Sequence, residues 1–200
     1  MSRAQLFIMV KEPHPGLVKT RLGRDIGMTA AAWWFRHQAL GLIRRLGRDP
    51  RWQTVLAVSP DREGMASGVW PPHLPRWPQG PGDLGDRMGR IFRRAPKGPV
   101  VIIGADIPGI TPALIACAFA ALGDHDAVIG PAPDGGYWLI GLKRGARPVP
   151  SGTFDGVRWS SATALEDTRA SLGKAKIAFI DTLRDVDRAT DLHVSETELK

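Results

Sequence analysis

Short apolar runs alternate with amphipathic stretches along the whole chain, and no other feature restricts its fold as much. Residues 4–10, 54–58, 100–103, 127–129, 137–142 and 177–180 read as strands, apolar on both faces and bounded by turn formers. Between them, Ala32, Phe35, Ala39, Leu42, Ile43 and Leu46 predict an amphipathic helix over 28–46, with arginines in the gaps. Leu84, Met88, Ile91 and Phe92 are spaced for a short helix after a long loop over 70–85. Thr111 caps a further helix with Pro112 at its first position, and Ser160 or Ser161 opens the next. Strands apolar on both faces need cover on both sides. The pattern therefore predicts a three-layer α/β/α fold with a mostly parallel sheet. In such sheets ligands sit beyond the carboxyl ends of the strands. With 200 residues, no internal repeat and no linker, residues 1–200 read as a single domain.

Charge narrows the partners. A net charge of +7 favours anions, but the arginines are scattered and no zinc-finger or RNA-binding signature occurs. That favours a discrete phosphate site over a nucleic-acid surface. The apolar run 6–10 is too short for a signal-peptide core or a membrane span, and a single cysteine excludes an internal disulfide. The expectation is a cytoplasmic protein that binds neither nucleic acid nor membrane. Cys117, in the apolar stretch 114–122, reads as core packing. There is no P-loop signature and no G-x-S-x-G elbow, and the histidines, His193 included, lack ligand spacing.

Five segments carry candidate chemistry. The first, Lys11-Glu-Pro-His-Pro-Gly-Leu-Val-Lys19-Thr-Arg21-Leu22, places three cations around a proline-glycine bend directly after the first strand. A cation about 4 Å from a phosphate oxygen gains roughly 4 kcal/mol before desolvation at an effective dielectric near 20, so Lys11, Lys19 and Arg21 suit a polyphosphate. In the second, Gly80-Pro-Gly82-Asp83-Leu84-Gly85, the G-x-G-x-x-G string follows 75–79 rather than a predicted strand, which argues against a dinucleotide fingerprint. Gly82 and Gly85 allow close approach to a base or ribose, with Asp83, Asp86 and Arg87 adding contacts; Asp83 reads equally as a helix N-cap. In the third, Asp106 stands at the end of a buried strand, as a magnesium ligand or as a capping or ion-paired carboxylate. In the fourth, Asp185 and Asp187 alternate, so on extended chain both point one way and one could share an ion with Asp106; Asp187 alone reads equally as a cap of the final helix. In the fifth, residues 130–138, with Asp134, Gly135, Gly136 and Tyr137, suit acceptor or sugar recognition or a plain turn between strands.

Taken in order, these segments resemble the DUF2064 group of bacterial glycosyltransferase-A-like proteins, also called rSAM/selenodomain-associated transferases. The resemblance spans nearly the whole chain and implies the nucleotide-diphospho-sugar transferase (GT-A-like) fold. More distantly, the first loop and Asp106 are similar to 2-phospho-lactate guanylyltransferase and the molybdenum-cofactor guanylyltransferases. The chain departs from the family at Ile107, where cysteine is frequent, and at Pro133, where glutamate is frequent; neither change removes a proposed ligand.

The leading expectation is nucleotidyl transfer from an NTP to a small phosphorylated acceptor. Lys11, Lys19 and Arg21 would hold phosphates, and Asp106 with Asp187 or Asp185 would hold Mg²⁺ or Mn²⁺. The alternatives are glycosyl transfer from a nucleotide-sugar, with Asp134 as base, and nucleotide binding without turnover. Three cations favour a triphosphate over a diphosphate.

Overall fold

The computed structural model describes residues 3–144 and 149–192, so His193 lies outside the described residues. In chain order the elements are β1 (Ala4–Lys11), α1 (Thr20–Ile26), α2 (Met28–Leu46), β2 (Trp52–Ser59), α3 (Asp61–Ala66), β3 (Arg76–Pro78), α4 (Leu84–Arg94), β4 (Val100–Gly104), α5 (Pro112–Ala121), β5 (Ala127–Pro131), β6 (Tyr137–Leu142), α6 (Ala164–Ser171) and β7 (Ile177–Phe179). The strands form one seven-stranded sheet in the order β3-β2-β1-β4-β6-β5-β7. β1 pairs in parallel with β2 and β4, β2 with β3, and β5 with β7, whereas β6 runs antiparallel between β4 and β5.

The side-chain alternation of β1 shows why helices cover both faces. Leu6, Ile8 and Val10 point into one core, where they meet Phe35, Leu42, Ile43 and Leu46 of α2 and Ile115 and Ala118 of α5. Phe7 points into the other, with Met88, Ile91 and Phe92 of α4 and Ala164 of α6. Each of these side chains is almost fully removed from water, and burying one contributes ~1.5–3 kcal/mol. The three-layer α/β/α arrangement follows from strands that are apolar on both sides.

The chain leaves β1 for α2 and β2 on one side, then crosses β1 to reach β4 on the other. The strand order therefore reverses at the β1–β4 pair. A crevice opens beyond the carboxyl ends of the strands at such a switch point, where ligands bind in open α/β sheets. Because β6 is antiparallel, its first residue, Tyr137, joins the last residues of β4 and β5 at that edge.

Several local expectations are corrected. The stretch 70–85 is not all loop: β3 lies within it, hidden by the prolines around it, so the glycine string does follow a strand and open a helix. The short helices α1 and α3 are additions to the expected elements, because one turn or two of apolar spacing does not stand out among prolines and charges. Neither Ser160 nor Ser161 opens α6. Ser160 has φ 58°, the Ser161 hydroxyl donates to the Arg158 carbonyl, and the helix begins after Thr163. Cys117 is exposed rather than packed. In α5 the inward stripe is Ile115 and Ala118, and the uniformly apolar sequence hides which face is buried.

The β5–β6 turn tests how tightly the fold shapes its carboxyl edge. Gly135 has φ 85°, its carbonyl accepts from the Leu165 N–H at 2.9 Å, and an added Cβ would collide with the Ala162 carbonyl. Gly135→Ala is expected to cost at least about 2 kcal/mol, from the left-handed backbone and the collision together. The test is urea unfolding; an unchanged midpoint would refute the close approach.

Candidate functional site

Lys19 is the centre of the crevice. It occupies the N-cap of α1 with φ 46° and ψ 46°, a left-handed conformation that a side chain seldom adopts, and no side-chain hydrogen bond caps the helix there. Such a residue stores ~1–3 kcal/mol of strain and persists only where its surroundings enforce it. Its side chain is 7% exposed, and Nζ lies 2.6 Å from Asp106 Oδ2, 3.0 Å from Asp187 Oδ1 and 3.4 Å from Asp185 Oδ2. Arg21, two residues further on and 61% exposed, donates from Nη1 to Asp187 Oδ2 at 2.8 Å.

Local sequence explains how three distant segments meet at this ammonium. Asp106 follows β4 between Ala105 and Ile107, both buried, so only its own side chain turns out to the crevice. Val186 packs against Leu22 and Ala31 with 1% exposure, which turns its neighbours Asp185 and Asp187 together toward Lys19. The alternation Asp-Val-Asp thus works as its spacing suggests. Asp187 does not cap the helical segment 189–192. Its own backbone N–H and that of Arg188 donate instead to Asp191 Oδ2, at 3.0 and 2.8 Å, which fixes the entry to that segment.

The cluster polarises its own members in opposite directions. Burial disfavours the Lys19 ammonium, but Asp106, by charge and hydrogen bond, with Asp185 and Asp187 outweighs this and raises its pKa. Burial also pushes Asp185 up; Lys19 pulls it back, and repulsion from Asp187 and Asp106 leaves it above the usual carboxylate value. Asp187 is pushed up by burial too, yet Lys19 and Arg21 together hold it below. Arg21, which touches Asp187 and not Asp185, accounts for the split.

The remaining predicted residues lie along the same carboxyl edge, outside this ion-paired group. Lys11 ends β1, exposed, in register with Ser59 of β2. Arg87 reaches that strand end, donating to Ser59 Oγ at 3.4 Å, to Gln79 Oε1 at 3.2 Å and, through Nε, to the Gly82 carbonyl at 3.1 Å. Asp83 caps α4 in a reciprocal box with Asp86. Gly85 is buried where a Cβ would meet Trp159 and Phe154, so its smallness serves helix packing. Asp134 Oδ1 accepts from the Gly136 N–H at 3.0 Å, closing the turn in which Gly135 lies. Tyr137 points away from Lys19 into the second core; its hydroxyl accepts from Thr168 at 3.3 Å, and burial raises its pKa.

Sequence reasoning missed the residues that hold these segments in place. Glu12, 5% exposed, accepts from Trp70 Nε1 at 2.5 Å and Ser67 Oγ at 2.9 Å, pinning residues 67–70 to the foot of the basic loop. Gln79 donates to the carbonyls of Val10 and Ala57 at 3.2 and 2.8 Å and receives Arg87, tying β1, β2 and α4 together. Trp138 Nε1 donates to the Asp181 carbonyl at 2.9 Å, fixing the start of the segment that carries Asp185 and Asp187. Of the three, only Glu12, a carboxylate directly after the apolar run of β1, stands out in the sequence.

Among the described residues, no group of three or more His, Cys, Asp and Glu side chains is arranged to hold a metal ion, and Lys19 Nζ sits between Asp106, Asp185 and Asp187. Their oxygens are nonetheless the hard donors that Mg²⁺ takes, and it needs only one or two when phosphates complete its shell. Asp187 uses both oxygens on Lys19 and Arg21, whereas Asp106 and Asp185 each meet Lys19 through Oδ2. The donor set fits Mg²⁺ provided that Lys19 yields.

Sheet order, the β1–β4 switch and the placement of the five segments define a nucleotide-diphospho-sugar transferase fold. A crystal structure of a protein from Desulfovibrio desulfuricans G20, provisionally assigned as a nucleotide-diphospho-sugar transferase, is 32% identical, with a TM-score of 0.85 and 97% of this chain and 86% of that one covered. The 4-diphosphocytidyl-2C-methyl-D-erythritol synthase of Anaerococcus prevotii DSM 20548 shares the fold at 10% identity, with a TM-score of 0.61 over 99% of this chain and 96% of that one. So does CMP:2-keto-3-deoxy-manno-octonic acid synthetase, solved with CTP, at 11% identity and 0.60 over 99% of each chain. No curated protein matches the chain. Residues 42–161 match the family described as "Uncharacterized protein conserved in bacteria (DUF2064)", and the chain belongs to that family. Among the described residues, no helix is long and apolar enough to cross a membrane.

Trp138→Phe keeps the buried ring and removes one donor. It is expected to cost about 1 kcal/mol in urea unfolding and to speed amide exchange over 181–187 more than elsewhere. Uniform exchange would show that Trp138 does not fix the segment.

Proposed function

We propose that this protein is a Mg²⁺-dependent transferase acting on a nucleotide, and that it transfers a nucleotidyl group from an NTP to a small phosphorylated acceptor. The observation that carries the reading is a strained, buried lysine at the β1–β4 switch point, ringed by Asp106, Asp185 and Asp187 with Arg21 beside them. A strained backbone and an ammonium held among three acids suit a group that must meet phosphate and metal in turn.

In this reading an acceptor phosphate oxygen attacks the α-phosphorus, the bond from α-phosphorus to the bridging oxygen breaks, and pyrophosphate leaves with those electrons. Lys19 and Arg21 neutralise charge on the non-bridging and leaving oxygens. Asp106 and Asp185 hold Mg²⁺, which when bound supplies further neutralisation of the phosphates. Lys11 and the edge formed by Gly82 and Arg87 receive the rest of the nucleotide, and the turn around Asp134 faces the acceptor. No side-chain nucleophile is needed, because the acceptor phosphate itself attacks.

A second reading, glycosyl transfer from a nucleotide-sugar, draws on the assignment given to the Desulfovibrio desulfuricans protein. The ion pairs alter how the two are weighed. Lys19 and Arg21 are already engaged by aspartates, so a surplus of three cations no longer favours a triphosphate. The preference rests instead on Asp134, whose Oδ1 is engaged in its own turn, so that only Oδ2 is left to serve as a base.

A thermal-shift panel of NTPs and nucleotide-sugars, each with and without Mg²⁺, separates the readings. Ligand at 100 times its dissociation constant adds ~2.7 kcal/mol. We expect stabilisation by at least one NTP with Mg²⁺, lost in Asp106→Asn. Stabilisation by nucleotide-sugars and by no triphosphate would favour the second reading.

A further inference from the structure

The ring around Lys19 has a charge balance that a phosphate-binding site should not have. Asp106, Asp185 and Asp187 bring three negative charges against the two positive charges of Lys19 and Arg21, which leaves one net negative charge. The depth order is also reversed. The aspartate side chains are 28, 32 and 34% exposed, whereas Lys19 beneath them is 7% exposed. A polyphosphate approaching this crevice meets the carboxylates, and Arg21 already paired to Asp187, before the ammonium that should receive it, which is held at 2.6 Å. Repulsion between such closely spaced charges in a partly buried site is only weakly screened by salt.

We infer that Lys19 is an internal stand-in for the divalent ion, and that the ring binds phosphate only after the ion has taken the carboxylates and released Lys19. The inference rests on the nucleotide reading above and adds a regulatory element to it. Without a divalent ion, the three aspartates hold Lys19 and repel phosphate. A divalent ion inverts the sign of the ring from one net negative to one net positive charge, and the freed ammonium turns to the phosphates. Lys19 has the means to move: its anchoring is electrostatic and its helix N-terminus lacks a side-chain cap. Val186, buried against Leu22 and Ala31, holds Asp185 and Asp187 in place while Lys19 exchanges for the ion.

Two variants make the exchange visible without an activity assay. Lys19→Met empties the ring of its own cation, and Mn²⁺ alone, followed by electron paramagnetic resonance, should then bind about ten-fold more tightly than to the parent. Asp185→Asn lowers the barrier to bare phosphate. By titration calorimetry, inorganic tripolyphosphate without metal should bind at least five-fold more tightly than to the parent, while the gain on adding Mg²⁺ should shrink. Tighter Mn²⁺ binding in the first variant and tighter metal-free tripolyphosphate binding in the second are the signature, since general loosening would weaken both. If Lys19→Met leaves Mn²⁺ affinity unchanged, or Asp185→Asn weakens tripolyphosphate equally with and without Mg²⁺, the stand-in role is overturned and the nucleotide reading survives. If the parent binds neither tripolyphosphate nor NTP in the presence of Mg²⁺, the nucleotide reading falls and takes this inference with it.

Discussion

The described structure depends at its functional edge on one buried ammonium. Lys19 draws together the ends of three strands that are far apart in sequence: its own loop after β1, Asp106 after β4, and Asp185 and Asp187 after β7. None of these carboxylates would be stable so close to the others without it, and Lys19 could not be 93% withdrawn from water without them. The group is therefore mutually required. Removing Lys19 leaves three carboxylates facing one another with Arg21 alone to offset them.

What surrounds this ring is rigid for reasons unrelated to charge. Val186 is clamped between Leu22 and Ala31, Ala105 and Ile107 anchor the chain on both sides of Asp106, and Trp138 holds Asp181. On the other side of β1, Glu12 and Gln79 knit the loop foot, the 67–70 stretch and Arg87 into one hydrogen-bonded frame. The fold thus presents a crevice with fixed walls and one long, flexible side chain in the middle. Fixed walls suit chemistry that works by positioning and electrostatics, and a single movable cation gives such a site a means of responding to its ligands.

The glycines and aspartates of the other two segments show how one residue type serves two ends. Gly85 and Gly135 are small because backbone or aromatic groups approach them, and Asp83 and Asp134 satisfy backbone N–H groups at a helix start and a turn. Their functional reading is as edges of the crevice, shaped by local hydrogen bonding, rather than as free ligating groups.

The sequence alone determined the layers, the long strands and helices, and the order of the five segments. Those follow from local periodicity, and periodicity survives whatever the chain packs against. It also placed Asp185 and Asp187 on one side of their segment, because alternation on extended chain is a local property. Only the tertiary structure decided that Asp106, Asp185 and Asp187 converge on Lys19, so that cations read as free are paired. Charge pairing between residues 19 and 187 depends on strand order, which local spacing does not encode. The same holds for β3, masked by its prolines; for Cys117, placed outward by a helix that is apolar all round; and for Glu12, Gln79 and Trp138. Their partners are main-chain groups and side chains brought near by the fold, and nothing in their immediate neighbours announces them.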